Sequence, residues 1–192
     1  DEVIADPQVQ VVHVCTPNHL HRPMAQAALE AGKHVICEKP LATSLEDAEA
    51  LAALAASRGL VATVPFVYRY HPVVREARER IAQGELGPVH LIHGSYLQDW
   101  LLDPASNNWR VDPALGGTSR VVAVIGSHWC ALVEWISGER FAEVSAAFAT
   151  VIAERGAASG QSFSTPTANG AMQAVTSEDV AAAMFRTGAG TL

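Results

Sequence analysis

Cysteine is scarce in this sequence, with three residues among 192, at positions 15, 37 and 130. The number is odd, the spacing wide, and each lies in an apolar run, which argues against a disulfide framework or a zinc knuckle. Buried reduced thiols are the expectation. Basic residues are also few. Thirteen Lys plus Arg stand against 20 Asp plus Glu, for a formal charge of −7. No basic stripe is present to neutralise several phosphates at once, so neither nucleic acid nor an anionic membrane surface is an expected partner. Long apolar runs are missing too. The longest, such as 120–130 and 148–153, fall well short of the roughly 20 residues that span a bilayer. The chain opens on Asp-Glu, not on a basic and then apolar leader. A cytoplasmic location is the expectation. What is present is core-forming: 49% of the residues are hydrophobic, which excludes disorder, and the length allows one large domain or two pieces.

The first third alternates strand and helix signals. A β-branched run at 11–15 is broken by Thr16-Pro17-Asn18. Pro23 then stands where a first helical turn tolerates it, with Met24, Ala27, Ala28 and Leu29 on one face and Gly32 past the end. A second strand at 34–37 follows. The connection is about 20 residues long and holds a helix, which requires the two strands to be parallel neighbours. Thr43 or Ser44 caps the next helix, with Glu46 or Asp47 completing a capping box. Leu45, Ala48, Leu51, Ala52 and Ala55 form its expected buried stripe, and a third strand covers 60–64.

The character changes at 65–72, where Phe66, Tyr68 and Tyr70 interleave with Arg69 and His71. A domain junction is expected there, dividing 1–65 from 66–192. An amphipathic helix is read at 73–83, with Val73, Val74, Ala77 and Ile81 inward, then a strand at 88–98 and a long loop at 99–119. Loops of that length inside a compact domain are usually functional or disordered. A helix at 120–137, a strand at 141–152, a polar loop at 156–170 and a final hairpin from Val180 complete the pattern. Both ends read as cut, so an internal piece of a longer protein is the expectation.

Ligands of open parallel sheets bind beyond the carboxyl ends of the strands. Two such ends, Thr16-Pro17-Asn18 and Glu38-Lys39-Pro40, come from adjacent strands and can converge on one ligand. Lys39 is a suitable fixed cation to stabilise a developing alkoxide; an exposed loop charge is the other reading, and the one that position alone favours. His128 lies on the 120–137 helix beside Gly126, and neutral imidazole is a natural proton acceptor at neutral pH. A hydrogen-bonded core histidine is the other reading. No metal site is expected. His90 and His93 are three apart on a strand and face opposite ways, and no third ligand accompanies His19 and His21.

The ordered set Val14-Cys15-Thr16-Pro17-Asn18-His19-Leu20-His21, Glu38-Lys39-Pro40-Leu41-Ala42, Tyr68-Arg69-Tyr70-His71-Pro72, Gly84-Glu85-Leu86-Gly87, Asn108-Trp109-Arg110 and Gly126-Ser127-His128-Trp129 resembles the glucose-fructose oxidoreductase, inositol dehydrogenase and MocA family. Ser177-Glu178-Asp179-Val180 followed by Gly188-Ala189-Gly190 resembles its carboxyl-terminal sheet. The resemblance implies an α/β protein: the later part of a Rossmann parallel sheet, then an α+β domain with an open, mainly antiparallel sheet that carries substrate and often an oligomer interface. It implies NAD or NADP as cofactor and a sugar, polyol or related hydroxy compound as substrate. Catalytic roles fall on Lys39 and His128. Thr16, Pro17, Asn18, His21, Glu38, Lys39 and Pro40 fall on the cofactor side, with Trp109 and Arg110 reaching in from the long loop.

Two features depart from the family pattern. No Gly-x-Gly-x-x-Gly turn occurs in the sequence, so only the nicotinamide end of the cofactor site is expected here. Val124 and Ala131 stand where aspartates are common, one turn before and three residues after His128. They keep open an alternative, a non-catalytic relative that binds a sugar or dinucleotide.

Overall fold

A computed structural model of the chain describes residues 2–156 and 171–192. A short helix, α1 (Glu2–Ala5), precedes strand β1 (Val11–Val14), helix α2 (His21–Glu30), strand β2 (His34–Cys37), helix α3 (Leu45–Ser57) and strand β3 (Ala62–Thr63). The three strands form one parallel sheet in the order β1-β2-β3, with Val11 opposite His34 and Val14 opposite Cys37. Val14, Val35 and Cys37 bury against Ala25, Ala28 and Leu29 of α2 and Leu51 and Ala55 of α3. This is the β-branched sheet and small-residue helix packing that the alternation in the sequence demands. Ser44 caps α3 and its Oγ accepts from the Asp47 amide at 3.2 Å.

The stripe expected on α3 needs correction. Leu45 is 75% exposed and Ala52 is exposed, whereas Leu54 packs on the core. The helix meets the sheet through residues 51, 54 and 55, and its first turn carries no core contact. Cys15 is likewise exposed, although Cys37 is buried and Cys130 half-buried. One step past the end of β1, it belongs to the crevice rim and not to the core.

The second part begins with a 3-10 turn at Val67–Tyr70 and helix α4 (Pro72–Ala82). Val73 is 68% exposed, contrary to expectation, and α4 instead turns Val74, Ala77, Arg78 and Ile81 partly inward. Arg78 lies over the Trp135 ring at 4.6 Å, fastening α4 to α6 (Ser127–Ser137). Residues 88–98 do not form the expected strand. Among the described residues, only Leu192 reaches this segment with ladder-like bonds, Ile92 N–H to Leu192 O at 2.8 Å and Leu192 N–H to His90 O at 3.2 Å. The loop at 99–119 is irregular except for α5 (Pro113–Gly116).

A π-helical stretch, Val122–Gly126, leads into α6, which ends at the left-handed Gly138. Strand β4 (Phe141–Ala149) pairs antiparallel with β7 (Val180–Thr187), and β5 (Glu154–Gly156) with β6 (Met172–Ala174). α6 docks on the β4–β7 sheet through Trp129, Phe141 and Phe185, with the two phenylalanine rings stacked at 4.4 Å. β4 stops at Ala149, short of the expected 152, because the amides of Val151 and Ile152 turn to Asp179 Oδ2, at 2.8 Å each. The polar loop expected at 156–170 lies, beyond Gly156, outside the described residues.

Candidate active site

The parallel register fixes the first two loops. Val14 lies opposite Cys37, and the Glu38 amide donates to Val14 O at 2.9 Å, so 15–18 and 38–40 leave the sheet side by side. His21, 1% exposed, braces them: Nδ1 lies 2.7 Å from Pro40 O and Nε2 2.9 Å from Thr16 O. The long loop closes over them. Asn18, 3% exposed, donates to Gly116 O at 2.7 Å, and His19 Nδ1 lies 3.2 Å from Leu115 O. Gly116 is needed there, since a Cβ would come within 2.7 Å of the Arg110 carbonyl oxygen.

A cavity of about 330 Å³ results, lined by Cys15, Thr16, Pro17, Asn18, His21, Glu38, Lys39, Trp109, Arg110 and Val124. Of the residues expected on the cofactor side, Pro40 alone is not on its wall; its carbonyl instead meets His21. The Arg110 guanidinium lies 4.3 Å from the Trp109 ring, and burial pulls its pKa below the usual value. Thr16 Oγ1 is buried without a hydrogen-bond partner. A buried hydroxyl without a partner beside two cations suits the polar end of a ligand, because leaving it unpaired costs about 1–3 kcal/mol. The lining therefore fits the carboxamide end of a nicotinamide.

Lys39 is not an exposed loop charge. Its Nζ donates to Val124 O at 2.9 Å. Burial and then Arg110 push its pKa down, against an opposing pull from Glu38. His128 follows Val124 by one turn. Its ring meets Phe66, Tyr68 and Tyr96 edge-on or tilted, with centroids 5.8, 5.0 and 6.1 Å away. Nδ1 is buried without a partner. Burial, and next the Lys39 charge, lower the histidine pKa below 6.5, while Glu38 opposes them. The imidazole is consequently neutral at pH 7 and free to accept a proton.

Val124 also lines a second, larger cavity of about 650 Å³, together with Tyr96, Gln98, Gly126 and Trp129. It forms the partition between the two chambers. Among the described residues no cluster of His, Cys, Asp or Glu could hold a metal ion, and no helix is long and apolar enough to cross a membrane.

Several positioning residues come from the carboxyl-terminal part of the chain. Glu178 Oε1 accepts from the Arg120 and Val122 amides and from Ser119 Oγ, capping the start of the His128 segment. Asp179 pairs with Arg120 and with Arg155, which is fully buried and donates to Ser106 O at 3.0 Å in the long loop. Ser177 Oγ donates to Val111 O at 3.2 Å. Glu178 and Asp179 thus hang the His128 helix and the Arg110 loop from one point. Their motif is visible in the sequence, but Arg155, their partner, sits in an unremarkable stretch.

This arrangement sets paired strand-end loops around a cationic crevice and ties its lysine to a histidine-bearing helix. Residues 1–66 match the model of the oxidoreductase family with an NAD-binding Rossmann fold, and residues 74–192 match the GFO/IDH/MocA C-terminal domain. The chain belongs to the Gfo/Idh/MocA oxidoreductase family. It is 41% identical over 159 residues to levoglucosan dehydrogenase of Pseudarthrobacter phenanthrenivorans, a match covering 82% of this chain and 40% of that protein. The solved structure of an oxidoreductase domain protein from Kribbella flavida superposes with a TM-score of 0.88 at 39% identity, covering 100% of this chain and 48% of the other. Levoglucosan dehydrogenase in complex with NADH and levoglucosan superposes with a TM-score of 0.87 at 37% identity, covering 99% and 48%. The chain therefore spans less than half the length of these relatives.

Proposed function

We propose that the protein is an NAD(P)-dependent dehydrogenase acting on a CH–OH group of a sugar, polyol or related hydroxy compound. The observation that carries this reading is the Lys39 Nζ to Val124 O bond of 2.9 Å, which ties the strand-end cation to the helix turn that presents His128. Nδ1 of His128 is buried, so Nε2 is the nitrogen that takes the hydroxyl proton. Lys39 stabilises the negative charge that develops on the substrate oxygen as that proton leaves. Thr16, Asn18, Glu38, Trp109 and Arg110 hold the nicotinamide end of the cofactor and exclude water from it. When bound, the cofactor supplies the acceptor for the hydride released from the same carbon. Assembly into a homo-oligomer through the β4–β7 sheet is part of the same proposal.

The test is cofactor reduction by the full-length protein on a panel of sugars and polyols with NAD and with NADP. His128→Ala should remove turnover by roughly 10²- to 10⁴-fold, as expected for a general base. Turnover that survives His128→Ala overturns the assignment. A second reading, a non-catalytic sugar- or dinucleotide-binding relative, draws on the burial of Val124 and Ala131, 9% and 8% exposed, where neither side chain can offer a carboxylate. A native protein that turns over nothing on the panel, with turnover appearing on Val124→Asp plus Ala131→Asp, would favour it.

A further inference from the structure

Val124 is 9% exposed and lines both chambers. In the smaller crevice it is an apolar patch among Glu38, Lys39, Arg110 and the Thr16 hydroxyl. In the larger chamber Val121, Val122 and Ile125 continue that patch. From 121 to 126 the sequence Val-Val-Ala-Val-Ile-Gly offers no hydrogen-bonding side chain, and Val124 O already accepts from Lys39 Nζ at 2.9 Å. The polar side chains of the larger chamber come from other segments. Arg120 and Asp179 are paired with each other, and Tyr96 Oη meets Gln98 Nε2 at 3.1 Å and Tyr68 Oη at 2.5 Å. Where the two chambers meet, the helix side of the passage is therefore apolar.

We propose that Val124 is a specificity-determining residue that selects a partly deoxygenated polyhydroxy compound, one with a hydroxyl-free face, over its fully hydroxylated parent. The proposal rests on the dehydrogenase reading for where the reacting oxygen sits. An ammonium has three donors. One is spent on Val124 O, which leaves Lys39 two. A substrate oxygen that takes one of these lies within about two hydrogen-bond lengths of the Val124 carbonyl, so the carbon frame that bears it packs against residue 124. A methylene turned to the Val124 methyls gains by leaving water. A hydroxyl turned to the same wall gives up its water partners and finds no donor or acceptor in return. Valine on a helix keeps one strongly preferred rotamer, so the methyls do not swing aside to admit it.

The experiment uses the full-length protein with D-glucose, D-galactose, D-xylose and myo-inositol and the monodeoxy derivatives of each. The readout is kcat/KM for the best monodeoxy derivative divided by that for its parent, in the native protein, Val124→Thr and Val124→Asp. Threonine keeps the branched shape of valine and adds one hydroxyl to the wall, so it tests polarity even where the aspartate variant fails to fold. Calorimetric titration of the NADH-bound proteins with the same pairs supplies a binding ratio that does not depend on turnover. The native protein should prefer the derivative by roughly ten- to a hundredfold, the usual discrimination an apolar pocket exerts against one added hydroxyl. Val124→Thr should lower that ratio about tenfold, and Val124→Asp should invert it in favour of the parent. A native preference for the parent in every pair, a ratio unchanged in Val124→Thr, or no binding of any panel compound would overturn the selection. The expected binding ratios with no turnover by the native protein would overturn the dehydrogenase reading alone.

Discussion

Lys39 Nζ and the carbonyl oxygen of Val124 are 2.9 Å apart, although the residues are 85 positions apart in the chain. The bond joins the carboxyl end of β2 to the π-helical stretch before α6. Like the Asn18–Gly116 and His19–Leu115 contacts, it ties the parallel sheet to the second part of the chain. What Val124 contributes at this point is its backbone oxygen.

Lys39→Met in the full-length protein should lower turnover by roughly 10²- to 10³-fold, the usual consequence of losing one preorganised electrostatic contact. Steady-state cofactor reduction measures it. Unchanged turnover would reduce Lys39 to a tether.

The pH dependence follows from the same pair. A base that must be neutral loses activity as pH falls through its pKa, and burial followed by the Lys39 charge holds His128 below 6.5. The acid limb of kcat/KM should therefore lie below pH 6.5. In Lys39→Met the repelling charge is gone, so the limb should move upward while the residual rate drops. A limb that stays in place would separate the histidine from the lysine.

Gly116→Ala should cost about 1–3 kcal/mol of stability, since the new methyl has a backbone carbonyl to displace. Its carbonyl holds Asn18 and its Cα faces Arg110, so NADH affinity should fall along with urea stability. A variant with native stability and native NADH fluorescence titration would show that the loop adjusts freely.

Asp179→Ala leaves the fully buried Arg155 and the nearly buried Arg120 without their shared carboxylate. The cost of such a stranded charge is about 3–5 kcal/mol, and Asp179→Asn should cost less because it keeps an acceptor. Burial pushes the Asp179 carboxyl up, but the Ile152 amide and Arg120 outweigh it, and the net pKa lies below the ordinary value. A depressed carboxylate contributes stability above its unfolded pKa and loses it as pH falls through the folded one. Urea unfolding should therefore show a shallower acid loss in Asp179→Asn than in the native protein.

Much of this was legible in the sequence where local rules decide. The β-branched runs at 11–14 and 34–37 and the cap at Ser44 are fixed by neighbours in the chain, and the parallel pairing follows from crossover length alone. The strand-end loops converge because sheet register requires it, which brought Thr16, Asn18, Glu38 and Lys39 together on paper. Residues 88–98 do not follow their alternation because it signals a strand only where a partner supplies a ladder, and among the described residues Leu192 alone offers backbone bonds of that kind. Leu45 and Val73 misled because a helical stripe gives the apolar face without saying which turns touch the core. Arg155 and the Tyr68–Tyr96 contact were invisible, since each depends on side chains meeting across 24 or more residues of chain.

The shared anchorage at Glu178–Asp179 has a consequence for how substrate preference can drift among relatives. The His128 helix and the Arg110 loop hang from one fixed point, so neither can be re-aimed without dragging the other. Variation is tolerable on the opposite wall, at 94–98 and 66–68, which meets His128 only through ring edges. New specificities should arise by changing that wall while 177–179 stays as it is.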